Sequence, residues 1–154
     1  MSFREKTAWI ATITTLVVWS YYFVVVWQAV NAGVLNGDGI LKLFYVCMGA
    51  TIGVMLGGCL LAARLGGHDF GAVPDERERA ITGRATTIGT VLLEWMVLGV
   101  ALWGLLKHGW VGTAFPADPL GSMAVIVANG LLFALVLSNV LREIILIVQF
   151  RLMD

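Results

Sequence analysis

DERERAITGRATTIGTVLLEWMVLGVALWGLL, residues 75–106, decides how the rest of the chain is read. Pro74 precedes it and Asp75 stands as the expected N-cap. Glu76 and Glu78 occupy the first turn, where the helix dipole favours acids. The segment then becomes almost wholly apolar from Ala85 to Leu106, long enough for a hydrocarbon layer about 30 Å thick. One residue breaks that run. Glu94 puts a carboxyl near the middle, where an isolated charge is costly and an ionisable group marks a functional candidate.

Three more apolar runs flank this one, giving expected spans over 8–30, 40–63, 85–106 and 120–141. The chain is 59% hydrophobic and 13% charged, with a mean hydropathy of +0.88. A soluble domain carries about a quarter charged residues, so the expected environment is a lipid bilayer. The expected fold is all-α: one transmembrane domain over residues 1–154, an integral membrane four-helix bundle. A formal net charge of zero gives no basic bias toward nucleic acid, and none is expected as a partner. Cys47 and Cys59 fall inside one span and read as small buried hydrophobes. The first span, too long for a secretory signal, reads as an uncleaved anchor.

Shorter signals set the boundaries. Ser2-Phe3-Arg4-Glu5 has capping-box spacing. Asn31-Ala32-Gly33 and Asn36-Gly37-Asp38-Gly39 mark a turn-rich link. Residues 64–73, with His68 and Asp69, read as a loop, as do residues 107–119, which are closed by two prolines.

Lys and Arg cluster at Arg4 and Lys6, at Arg64, Arg77, Arg79 and Arg84, and at Arg142 and Arg151. The two remaining loops hold only Lys42 and Lys107. By the positive-inside rule both termini and the middle loop face the cytoplasm, in a cell inner membrane. Residues 75–106 and 120–150 would each make more than about 45 Å of helix. Helices three and four are therefore expected to extend into the cytoplasm as a paired stalk bearing Asp75, Glu76, Arg77, Arg79, Arg84, Arg142 and Glu143. Pairing of Glu143 with Arg77 or Arg84 would be structural, and the stalk offers a docking surface for a cytoplasmic protein.

Gly83, Thr87, Thr90 and Glu94 recur at intervals of four, three and four, so they share one helix face. The stripe enters from the cytoplasmic side and ends at Glu94. Tyr22 and Asn129 lie near the same depth by residue count, and no Lys, Arg or His does. An acid without a counter-charge is expected to be neutral or to titrate near neutrality, and to hydrogen-bond to Tyr22 or Asn129. The candidate proton- or cation-binding set is therefore Glu94, Thr90, Thr87, Tyr22 and Asn129. The alternative is that these residues act as interhelical glue.

Gly49, Gly53 and Gly57 form a second pattern, a flat groove for close helix approach within the chain or in a homo-oligomer. Trp19 and Trp95 at mid-depth raise a third, a lipid or hydrophobic small-molecule contact. His68 and His108 fall on opposite sides of the membrane and cannot share a metal. No nucleophile–base pair, phosphate loop or metal cluster is legible, so neither enzyme activity nor a cofactor is expected.

The Asp75-Glu76-Arg77 start of helix three, with Ile81, Arg84-Ala85 and Thr87, resembles a signature in small uncharacterised prokaryotic membrane proteins grouped as domains of unknown function. Phe3-Arg4-Glu5-Lys6, Arg142-Glu143 and Phe150-Arg151 are similar to some bacterial members. The resemblance implies a four-helix inner-membrane protein and brings no activity with it. Such genes resemble ones found beside small transcription regulators, a hint of regulation. Two functions stand at this stage. One is a small oligomeric transporter or channel using Glu94. The other is a noncatalytic membrane partner or regulator.

Overall fold

The computed structural model describes residues 3–66 and 76–153 as four helices: α1 (Phe3–Asn31), α2 (Gly37–Gly66), α3 (Glu76–Ala114) and α4 (Pro119–Met153). Each is long and apolar enough to cross a membrane, and the described residues contain no strand. The chain is a multi-pass four-helix membrane bundle. Ser2, His68, Asp69 and Asp75 lie outside the described residues, as do the side chains of Arg77 and Glu78.

Local chemistry explains the ends. Asn36 and Asp118 act as N-caps, accepting from the amides of Gly39 and Gly121 at 3.1 and 2.9 Å. Pro119 takes the first helical position, where its missing N–H costs nothing. At the end of α1, Gly33 sits at φ 67°. Its amide donates to Val30 O, and Val34 donates to Ala29 O, which is the paired bond pattern of a Schellman stop.

The third helix corrects one boundary. Residues 107–114 continue α3 instead of forming a loop, and only a short link remains before α4. Gly109 and Gly112 lower helix propensity without ending the helix. Val111 and Phe115, 1% and 5% exposed, are one turn apart and anchor the extension by burial. α3 thus has 39 residues and α4 has 35, about 58 and 52 Å.

α4 is the spine. α3 and α1 both pack along it; α2 packs on α1 and only grazes α4. α3 meets neither α1 nor α2 along its backbone. Near the end that bears both termini, Ala8 joins Ile81, Ala85, Leu146 and Ile147 in one buried cluster. The Arg151 guanidinium there lies 6.0 Å from the Trp9 ring centre. The overlong ends of α3 and α4 are thus flanked by α1 and do not stand as a bare pair.

Small residues close the α3–α4 seam. Ile81, Ala85 and Gly89 face it from α3, and Ala134 and Ser138, one turn apart, from α4. Gly89 is backed by Arg142, Gly104 by Met123 and Val127, and Gly130 by Val100, so any Cβ would meet a neighbour within 3.1–3.3 Å. The close approach lets the Ser138 hydroxyl donate to Gly89 O at 2.9 Å. Among the described residues nothing lies within 4 Å of where a Cβ on Gly49, Gly53 or Gly57 would sit, so none of them packs into that groove.

Candidate functional site

Glu94 stands near the middle of α3, on the face away from α4. Gly89 marks the seam, and five residues on at 100° each bring Glu94 about 140° round the helix. Gly83, Thr87, Thr90 and Glu94 are all exposed, as are Leu98 and Ala101 beyond them. The stripe read from the sequence therefore exists as a continuous outer face. Thr87 donates its hydroxyl to Gly83 O at 3.0 Å and is satisfied within its own helix. No hydrogen bond or ion pair among the described residues engages the Glu94 carboxyl. Trp95 beside it is 69% exposed.

Tyr22 and Asn129 correct the expected partnership. Tyr22 donates its hydroxyl to Asn129 Oδ1 at 2.6 Å, and Asn129 Nδ2 donates to Val125 O at 2.8 Å. These two residues serve each other and do not reach Glu94. The reason is lateral as well as vertical: α1 and α3 each pack on α4 and make no backbone contact with each other. In addition, Gly89 lies against Ser138 and Arg142, which sets Glu94 level with Leu135. Asn129 is six residues from Leu135, about 9 Å farther from the termini. Tyr22, 2% exposed, is held by Trp19, Phe23 and Phe44, with ring centroids 5.5, 5.3 and 6.4 Å away.

Depth relates Glu94 to the glycine groove. Leu135, Trp19 and Phe44 line one crevice, and Trp19 and Phe44 ring centroids are 5.9 Å apart. Glu94 is level with this layer. Gly58 approaches Ile10 closely near the termini end. Gly49 to Gly57 on α2 therefore spans the same depth as Gly83 to Glu94 on α3. The two faces look out from helices that do not touch.

The charged end differs from expectation in one pairing. Glu143 Oε1 accepts from Arg142 Nη2 at 2.7 Å and Nε at 3.2 Å, so its partner is its chain neighbour and not Arg84 across the seam. Arg79 and Arg84 are exposed. His108 Nδ1 lies 2.8 Å from Leu105 O, a local contact. Among the described residues no group of three His, Cys, Asp or Glu side chains is placed to hold a metal. The sequence reading missed the seam glycines Gly89, Gly104 and Gly130 and the partners Ala134 and Ser138. The four-residue spacing of Ile81, Ala85 and Gly89, and of Gly130, Ala134 and Ser138, was the available signal.

Comparison with protein-family models, curated proteins and solved structures gives no match.

Proposed function

We propose that the chain is an inner-membrane protein with both termini cytoplasmic that works as a homo-oligomer. In this reading Glu94 of each copy forms a proton- or cation-binding site against α2 of the next copy, and the assembly moves that ion. The observation that carries it is the mid-depth Glu94 carboxyl on a face that none of the four described helices covers. Left against lipid, a charged acid at a helix centre costs about 2.5–3.5 kcal/mol. A neighbouring subunit removes that exposure and leaves the carboxyl free to exchange a proton. The open groove at Gly49, Gly53 and Gly57 lies at the same depth and lets a second helix come close. Because the two faces belong to different helices, the contact is head-to-tail, and it builds a ring when the rotation from copy to copy closes.

Reconstituted vesicles containing a pH-sensitive dye test this. Wild type should carry a proton or cation flux that Glu94→Gln abolishes while the oligomer persists. Equal fluxes overturn the reading. The exposed Arg79 and Arg84 support a second reading, a noncatalytic regulator docking an acidic cytoplasmic protein. Recovery of a stoichiometric partner from native membranes, lost on charge reversal at Arg79 and Arg84, would favour that instead.

A further inference from the structure

Glu94 and Trp95 follow one another in α3, so their side chains leave the helix about 100° apart and border each other on its surface. Both are exposed, Trp95 at 69%. Val91 precedes the pair by one turn and Leu98 follows it by one turn, so both lie beside it on the helix surface. They are 47% and 48% exposed. The four side chains form one outward patch at mid-depth: a carboxylate and an indole side by side, with an aliphatic wall above and below.

Charge decides what this patch can take. No ion pair among the described residues engages Glu94. Along α3 the nearest cationic residues are Arg84 and Lys107, about 15 and 20 Å away. Arg142 on α4 is held by Glu143 at 2.7 Å. A partner for the carboxylate therefore has to bring its own positive charge. Hard inorganic cations take about six oxygen ligands to replace their hydration shell. Thr90 is the only hydroxyl or amide side chain within one turn of Glu94 on α3, so such a shell is poorly supplied. A cation whose charge is covered by apolar groups has little hydration to lose. It gains at once from the carboxylate, the indole face and the aliphatic walls.

We infer that the Glu94 site takes a lipophilic organic cation of the quaternary ammonium or phosphonium class. Its charge lies against the Glu94 carboxylate, and one substituent lies on the Trp95 ring between Val91 and Leu98. The inference rests on the proposed ion site at Glu94 and names its cargo. On the facing copy, the side-chain-free groove at Gly49, Gly53 and Gly57 leaves room opposite the carboxylate for such a body.

Radiolabelled tetraphenylphosphonium is the probe. Its binding to the full-length protein in phosphatidylcholine nanodiscs, corrected with empty nanodiscs, should saturate, and Glu94→Gln should abolish the saturable part. Trp95→Leu should weaken binding about five- to thirtyfold, the worth of a desolvated cation–π contact, and Trp95→Phe should recover most of that loss. Tetramethylammonium has the charge without the apolar surface, and triphenylphosphine oxide has the surface without the charge. Each should compete at least about tenfold less well than unlabelled tetraphenylphosphonium. No saturable binding, wild-type binding by Glu94→Gln or Trp95→Leu, or equal competition by tetramethylammonium overturns the inference. Flux assays on the same preparations separate it from the transport reading. A Glu94-dependent flux of protons or inorganic cations without tetraphenylphosphonium binding removes the cargo class and leaves transport standing. Glu94-dependent binding without any flux upholds the site and removes transport.

Discussion

Replacing Tyr22 with Phe isolates a buried side-chain hydrogen bond that ties α1 to α4. The ring stays among Trp19, Phe23 and Phe44, so packing is unchanged and only the hydroxyl goes. That hydroxyl donates to Asn129 Oδ1 at 2.6 Å inside a site only 2% exposed. Interhelical hydrogen bonds in membranes average about 0.6 kcal/mol and reach about 1.7. The short distance and deep burial favour the upper half, so Tyr22→Phe should cost about 1 kcal/mol, roughly a fivefold shift in the folding equilibrium. Asn129→Leu should cost a similar amount, because it removes the acceptor while also freeing the Val125 carbonyl. The double variant should cost about 1 kcal/mol less than the two single losses added together, because one bond is shared. Steric trapping in bicelles gives these free energies at equilibrium. A Tyr22→Phe loss near zero, or strict additivity in the double variant, refutes the pairing.

Other positions give independent checks. Gly89→Leu should drive α3 from α4, since a Cβ there already meets Arg142 Cβ at 3.2 Å; thermal unfolding should fall by several degrees and Ser138 should lose its carbonyl partner. Gly33→Ala forces a side chain onto a φ of 67° and should destabilise by about 1–2 kcal/mol in the same trapping assay. Asp118→Ala removes the cap on α4 and should cost about 0.5–2 kcal/mol, with amide exchange rising at Gly121.

Sequence carried the elements further than their arrangement. Four spans and their turns were legible because bilayer thickness and Gly, Pro and Asn chemistry act locally. The far end of α3 was misplaced because Lys107, His108 and two glycines resemble a loop until the buried Val111 and Phe115 are known to pack. That Gly83, Thr87, Thr90 and Glu94 share one face was legible from helical spacing alone; that this face looks outward was not. Its expected contact with Tyr22 and Asn129 was not, since residue counts give depth along a helix but not which helices are neighbours. Because α1 packs on α4 and not on α3, the two partners found each other instead. The glycines on α2 stand out in the sequence because they recur every fourth residue, while Gly89 and Gly104, about four turns apart on α3, and Gly130 on α4 sit singly among larger residues and were passed over.

The outward face of Glu94 is the claim on which the proposed function depends. Disulfide mapping addresses it, in a chain whose free Cys47 and Cys59 are changed to Ala. Thr90→Cys on α3 and Ala50→Cys on α2 are introduced together and singly, and the protein is oxidised in a native-like bilayer. The account predicts a ladder of cross-linked oligomers for the pair, and monomers for either cysteine alone. Monomers in every case, or a dimer formed by Thr90→Cys on its own, would contradict it.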